Sequence, residues 1–467
     1  MFRVCISQPF MDKKHISRLI NKQREFFSAG KARDPAFRIG QLNALRKTVV
    51  DNEQKIFDAL QRDLGKPAFE SHGGETGIVI HEIDYALRHL KTWVKPKRVS
   101  LPLAYFPSKS YIIPEPYGVA LIMGPWNFPF QLMLAPLVGA IASGNCALLK
   151  PSLAAPECSR LMTEIITECF DPAYISLIEG GAETAQMLLE ERFDYIFFTG
   201  GSAAGRIVMT AAAKNLTPVT LELGGKNPCI VDADTHLEYT ARRIVWGKFF
   251  SAGQSCVAVD YLLVDKQIKE QLVARIVQFT RDCYGPDPSS CPDYGRIVNE
   301  THFDHLSGLL GCGSLVMGGQ MDRAMRYIAP TIIEGITGVE PIMQDEIFGP
   351  LLPIIEYKDL SRALEFVHNR PKPLALYFFS RNKQLQDRVL RETSSGGGCI
   401  NDTVIHETST RLPFGGEGAS GIGKYHGKAS FDTFTHERSI VKSSFLMDNP
   451  LRYPPYKNHL KWLKNFF

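Results

Sequence analysis

The chain is poor in the features that mark several broad protein classes. It has no run of roughly eighteen apolar residues, so no membrane-spanning helix is predicted. Its start, Met1-Phe-Arg-Val-Cys-Ile-Ser-Gln-Pro, lacks the long apolar core of a secretory signal, which leads to the expectation of a cytoplasmic protein. The ten cysteines, Cys5 among them, include no C-x-x-C pair, and no Cys/His cluster has zinc spacing. Neither a metal site nor a disulfide framework is therefore expected, and scattered thiols fit a reducing compartment. The net charge is only +4, from 53 basic and 49 acidic residues, which gives no basis for nucleic-acid binding. No internal repeat or low-complexity segment appears.

What is present is a large globular composition. The 467 residues are 44% hydrophobic and 22% charged, enough for two or three domains with substantial cores. Residues from about 14 to 95 read as helical, with amphipathic spacing in Arg38–Val49. Tyr111–Ile113 and Val119–Met123 then read as the strands of a small hairpin around Pro114-Glu-Pro116-Tyr-Gly118. From there strands and helices alternate. Strands are expected at Cys146–Leu149, Ile175–Ile178, Tyr195–Phe198 and Val219–Leu221, with helices between them. A second alternating segment follows Glu222, with strands at Asn227–Val231, Tyr261–Val264, Leu351–Ile354 and Ala375–Phe379. The pattern predicts two α/β halves joined near Glu222, the first a doubly wound parallel sheet, with ligands in the cleft between them.

The candidate chemistry lies at strand ends and glycine turns. Cys256, in Gly253-Gln-Ser-Cys256, is a thiol on a turn, a nucleophile if a base takes its proton. Glu222, 34 residues earlier, ends a strand and precedes Gly224-Gly225, a suitable place for that base. Asn127 sits in the proline-stiffened loop Gly124-Pro-Trp126-Asn-Phe-Pro129, where a fixed amide can donate to a developing oxyanion. Thr199-Gly-Gly-Ser-Ala-Ala-Gly205 opens a helix after a strand, which suits a phosphate, although this turn is not a G-x-G-x-x-G fingerprint. Lys150, in Lys150-Pro-Ser152, can reach ribose hydroxyls or a phosphate. Each alone is equally readable as structure: a buried thiol, a surface carboxylate, a turn asparagine or a solvated lysine.

Taken in order, Gly124-Pro-Trp-Asn-Phe-Pro, Leu149-Lys-Pro-Ser, Phe198-Thr-Gly, Leu221-Glu-Leu-Gly-Gly-Lys, Gly253-Gln-Ser-Cys, Glu346-Ile-Phe-Gly-Pro and Pro413-Phe-Gly-Gly resemble the aldehyde dehydrogenase superfamily over nearly the whole chain. Leu216–Glu222, Lys372–Tyr377, Tyr425–Lys428 and Leu451–Pro455 are similar to its class-three, or fatty aldehyde, branch. The resemblance implies Cys256 as nucleophile, Asn127 with the Cys256 N–H as oxyanion hole, and Glu222 as general base. It implies NAD or NADP as cofactor, contacted by Trp126, Lys150, Ser152, Gly200, Gly201, Ser202, Gly205, Glu346 and Phe348. By the same resemblance the substrate is an apolar aldehyde, medium- or long-chain aliphatic, aromatic or polyene, oxidised to the acid through a thioester.

The implied architecture has several parts. Residues 10–109 and 120–224 would form the dinucleotide-binding domain and 225–425 the catalytic domain. A β bridging element at 110–119 and 426–447 would serve a homodimer, and 448–467 form a tail. His459–Phe467, with lysines among aromatics, is too short to span a bilayer and can contact a membrane surface, the body or a partner subunit. Three departures stand out. Leu153 replaces a glutamate that often binds the adenosine ribose, Ser251-Ala252 replaces an Asn-containing pair, and Gly201 stands where Ser or Asn is common. Two rivals remain, an acylating enzyme that passes the acyl group to coenzyme A and a non-enzymatic binding or structural protein on the same fold. Glu222 argues against the first, because a base for water has no use there.

Overall fold

The structure, a computed structural model, describes residues 13–102, 105–448, 450–456 and 459–464. Cys5, the N-terminal stretch and part of the C-terminal tail lie outside them.

Five parallel strands build the first sheet, and the three central ones are short, largely apolar runs buried on both faces. Val119–Met123 lies centrally. Cys146–Lys150 and Ile175–Leu177 add on one side of it, and Tyr195–Thr199 and Val219–Glu222 on the other. The order therefore reverses at Val119–Met123, and the loops after this strand and after Tyr195–Thr199 open at one switch point. Gly421–Ile422 pairs antiparallel with Val219–Glu222 at the edge. The helices Gln131–Ser143, Pro156–Cys169, Ala182–Glu190 and Ser202–Ala213 connect the strands. Gln131–Ser143 is buried along its whole length, in keeping with its sequence Gln-Leu-Met-Leu-Ala-Pro-Leu-Val-Gly-Ala-Ile-Ala-Ser.

The second sheet has seven strands. It includes the expected Pro228–Val231, Tyr261–Asp265, Leu351–Tyr357 and Ala375–Phe379, all parallel to their neighbours in this set. Ser314–Met317, Thr331–Glu334 and Gly397–Ile400 complete it, at positions where the sequence pattern predicts no strand. The helix Lys269–Tyr284 follows Tyr261–Asp265 after a turn in which Asp265 accepts from the Gln267 N–H.

The hairpin at 110–119 is not formed. Lys109–Pro116 is one continuous strand, with Pro114 and Pro116 inside it rather than in a turn, and it does not pair with Val119–Met123. Its partners are Lys97–Val99 and Thr435–Lys442, in a separate three-stranded sheet. Pairing with Lys97–Val99 ends at Ile112, so one edge is open beside both prolines, where a missing N–H costs no ladder bond. The 435–442 strand lies outermost and is mostly exposed. No helix among the described residues is long and apolar enough to cross a membrane.

Candidate active site

Cys256 follows a tight turn whose backbone the sequence only partly advertises. Ser251, Ala252 and Gly253 all take left-handed φ values, 52°, 53° and 74°. Gly253 is required twice over, since a Cβ there would lie 2.3 Å from the Gly349 carbonyl oxygen. Ser251 and Ala252 hold this conformation against a cost on the order of 1–2 kcal/mol each. Two side chains fix them. Glu70 accepts from the Ser251 N–H at 3.0 Å. The Gln254 amide donates to the Ser251 and Arg296 carbonyls and accepts from the Val298 N–H. Asn227 then donates to the Cys256 carbonyl at 2.7 Å, tying the nucleophile's backbone to the start of the second sheet.

Asn127 is brought to the same place from the first sheet. Its side-chain amide donates to the Gln254 carbonyl at 3.1 Å, two residues before Cys256. One N–H of that amide suffices for this bond, which leaves the second to donate elsewhere. Glu222 is buried against Gly415 and Gly416, and neither oxygen has a hydrogen-bond partner among the described residues. Burial pushes its pKa well above the usual carboxylate range, against the opposing pull of His426 and the nearby Gly416 N–H. The Cys256 thiol is also pushed well up, first by burial and then by the charges of Glu346, Glu407 and Glu222. It rests as a thiol and needs a base to become a nucleophile. A carboxyl whose proton affinity is raised above the usual carboxylate range suits that task.

Glu346 and Phe348 come from the loop that closes over Gly253. A Cβ on Gly224 would lie 1.9 Å from a Glu346 oxygen, so this glycine is what admits the carboxylate. Burial and the Asp260 charge raise Glu346 to about 8, while the Gly225 N–H, Lys226 and Lys248 oppose them. Phe348 takes a φ of 53°, and its carbonyl accepts from His302 at 2.8 Å. Its ring meets Trp126 edge-on at 5.3 Å.

At the switch point lies a cavity of about 890 Å³, lined by Gly124, Trp126, Lys150, Ser152, Gly200, Gly201, Arg206 and Lys214 among others. That size falls within the roughly 300–1,000 Å³ of small-molecule sites. Gly201 begins the helix Ser202–Ala213 without a side-chain cap, so its first-turn N–H groups are available to an anion. Nothing lies within 4 Å of where a Gly201 Cβ would stand. Lys150 is mostly buried, donates to the Pro151 carbonyl, and has its pKa lowered by burial. Glycines at a helix start beside three cationic side chains fit an anionic dinucleotide. Ser202 and Gly205 are not in the cavity wall. Ser202 donates to the Ala419 carbonyl at 3.3 Å, and a Gly205 Cβ would meet Leu223 at 2.7 Å, so Gly205 serves helix packing. Leu153, 44% exposed, lies outside the lining.

Other residues of the site carry no mark in the sequence. His426 is buried between Glu82, 2.5 Å from Nδ1, and Glu407, 3.7 Å from Nε2. Burial alone would lower its pKa, but the carboxylates of Glu407 and Glu82 raise it to about 9. Lys226 pairs with Asp260, which also accepts from the Ile347 N–H. Lys66 and Glu75 form a fully buried ion pair under the Asn127 loop. Of these, Lys226, in Leu221-Glu-Leu-Gly-Gly-Lys, and His426, in Tyr425-His-Gly-Lys, belong to family-like stretches, and nothing local there signals their pairing or charge.

Known proteins similar to this chain show its family. The model of the aldehyde dehydrogenase family matches residues 3–440. The chain is 47% identical over 464 residues to the 4,4'-diaponeurosporen-aldehyde dehydrogenase of Staphylococcus aureus, covering 99% of each. It is 48% identical to aldehyde dehydrogenase family 3 member B1 of Homo sapiens over 93% of this chain and 94% of that one. The substrate-bound state of Staphylococcus aureus AldH superposes with a TM-score of 0.95 at 47% identity, over 97% of this chain and 99% of that one. The NAD-dependent aldehyde dehydrogenase of Sinorhizobium meliloti gives a TM-score of 0.86 at 26% identity, over 95% and 89%. The chain belongs to the aldehyde dehydrogenase family and is an NAD(P)-dependent oxidoreductase that oxidises aldehydes.

Proposed function

We propose that the chain oxidises apolar aldehydes, medium- or long-chain aliphatic, aromatic or polyene, to carboxylic acids through a thioester on Cys256. The observation that carries this is the buried carboxyl of Glu222, without a partner among the described residues and electrostatically coupled to the Cys256 thiol. The thiol proton passes to Glu222 as Sγ bonds the carbonyl carbon. The resulting oxyanion accepts from the second Asn127 N–H and from the Cys256 backbone N–H. Losing one such donor costs roughly 3 kcal/mol of barrier. The nicotinamide, when bound, supplies the hydride acceptor; Trp126, Lys150, Ser152, Gly200, Gly201, Glu346 and Phe348 would hold the cofactor. Glu222 releases the first proton to solvent and then takes one from the water that attacks the thioester; as the C–S bond breaks, the sulfur leaves and takes that proton from Glu222, restoring the thiol.

The apolar substrate class has two supports. Phe128 stacks on Phe250 at 5.8 Å, and Phe250 meets Trp246 at 5.8 Å, giving an aromatic row beside the Asn127 loop. One relative is named for a polyene aldehyde. The first sheet serves cofactor binding (10–109 and 120–224) and the second catalysis (225–425). The sheet built from Lys109–Pro116 and Thr435–Lys442 serves a homodimer. The tail from 448 packs on the body or a partner subunit, or contacts a membrane surface, and the protein works in the cytoplasm.

The test uses Cys256→Ala and Glu222→Gln with an apolar aldehyde and NAD, with and without coenzyme A. Cys256→Ala should lose measurable oxidation. Glu222→Gln should reduce free acid formation at least about a hundredfold. Oxidation surviving Cys256→Ala would sink the thioester route, and acyl-coenzyme A as the main product would establish the acylating alternative.

A further inference from the structure

Lys66 and Glu75 are the most deeply buried ion pair among the described residues, with both side chains 0% exposed and 2.7 Å apart. A pair taken out of water has a desolvation cost that its own attraction often fails to offset. Its placement accounts for it better than stability does. The Lys66 ammonium also donates to the Asn127 carbonyl at 2.8 Å and lies 4.0 Å over the Phe128 ring. The second Glu75 oxygen accepts from the Phe130 and Gln131 N–H groups, at 3.0 and 2.9 Å, where the helix Gln131–Ser143 begins. The loop carrying Asn127 is thus clamped at 127 and again at 130–131 by one charged pair.

The clamp sits on an unusual backbone. Glu75 lies in a π-helical turn, His72–Thr76, a form that recurs at functional sites. In that turn a Gly74 Cβ would stand 3.0 Å from Phe128 and 3.2 Å from Phe250, so the segment packs against both the Asn127 loop and the approach to Cys256. Glu70, one turn earlier, holds Ser251. The same buried segment therefore touches both peptide stretches whose relative position sets the oxyanion hole.

We propose that Lys66, locked against Glu75, is a positioning residue that fixes the Asn127 amide relative to Cys256 without touching substrate or cofactor. The proposal rests on the oxyanion role assigned to Asn127 above. A displacement of about an ångström is enough to cost on the order of a hundredfold in rate, so a clamp on this loop acts on turnover rather than on substrate affinity.

A double-mutant cycle tests it. The paired variant Lys66→Met with Glu75→Gln leaves no isolated buried charge. In the wild-type background it should lower kcat about tenfold to a hundredfold, with KM for aldehyde and NAD within about threefold. In an Asn127→Ala background the same pair should lower kcat by less than about threefold more, because the group it positions is gone. An equal loss in both backgrounds, or no loss in the first, overturns the proposal and leaves the pair a structural element. A loss of less than about threefold from Asn127→Ala alone instead overturns the oxyanion role itself. If the paired variant lacks a cooperative thermal transition, Lys66→Gln, which keeps a donor on a shorter side chain, takes its place in the cycle, and the same outcomes support or overturn the proposal.

Discussion

Leu153 stands two residues past Pro151, 44% exposed and next in sequence to Ser152 of the cavity wall. A carboxylate at this point would repel a 2′-phosphate, and leucine does not. Arg206 and Lys214 in the cavity wall add positive charge. The expectation is that both cofactors turn over, with NAD preferred by less than about a thousandfold in kcat/KM, roughly 4 kcal/mol. Leu153→Glu should widen the preference for NAD by tenfold or more, measured as the ratio of the two kcat/KM values. A wild-type preference above a thousandfold would remove the argument. Single residues of this kind are readable because they neighbour a motif. Lys66 and Glu75 are not, since they lie nine positions apart across Pro67 and two glycines, and no periodicity marks a π-turn. Nor is the pairing of His426 with Glu82, 344 positions apart. Their chemistry arises only when the chain closes.

At the scale of elements, the central strands are legible because Val119–Met123, Tyr195–Phe198 and Ala375–Phe379 are continuous apolar runs buried on both faces. Thr435–Lys442 is not, because Thr-His-Glu-Arg-Ser-Ile-Val-Lys has no such run and its partner, Lys109–Pro116, is more than three hundred residues away. The left-handed turn at Ser251-Ala252 reads in the sequence as a departure but not as a strained element with its own anchor. That anchor, Glu70, is raised to about 7, first by burial, while Lys66 and the Ser251 N–H oppose the rise. The unfolded carboxyl titrates near about 4.3. Between about 4.3 and 7 the folded state keeps a proton that the unfolded state loses, so this group's contribution to stability falls as pH rises through that window. The full difference is at most about 4 kcal/mol, from roughly 1.4 kcal/mol per pH unit across that window. Glu70→Gln keeps the carbonyl acceptor for Ser251 and removes the buried charge. It should match the wild type in apparent Tm at about pH 4.5 and exceed it by a few degrees at about pH 8. A variant destabilised more at about pH 8 than at about pH 4.5 would show that the carboxylate is needed for its charge.

For the whole molecule, the three-stranded sheet is the element least explained by a single chain. Its outer strand, Thr435–Lys442, presents an eight-residue edge with a free row of backbone groups, which soluble proteins normally cover or blunt. Immediately after it, Phe445 and Leu446 are fully or nearly fully exposed, at 110% and 92%, and Met447 follows at 59%. Large apolar side chains in series beside an open edge mark an interface rather than a solvated tail. A second copy offers the complementary edge in a two-fold arrangement, in which one patch meets itself. A stable association of this kind needs roughly 800 Å² from each partner, more than the strand edge alone provides, so the 445–447 cluster must contribute. The expectation is a dimer at micromolar concentration in sedimentation or light scattering. Phe445→Asp with Leu446→Asp should shift it toward monomer. Because both side chains lie outside the core, the variant should still unfold cooperatively, with any fall in apparent Tm depending on protein concentration. A wild-type monomer at that concentration, or a dimer indifferent to both charges, would assign this face to something other than self-association.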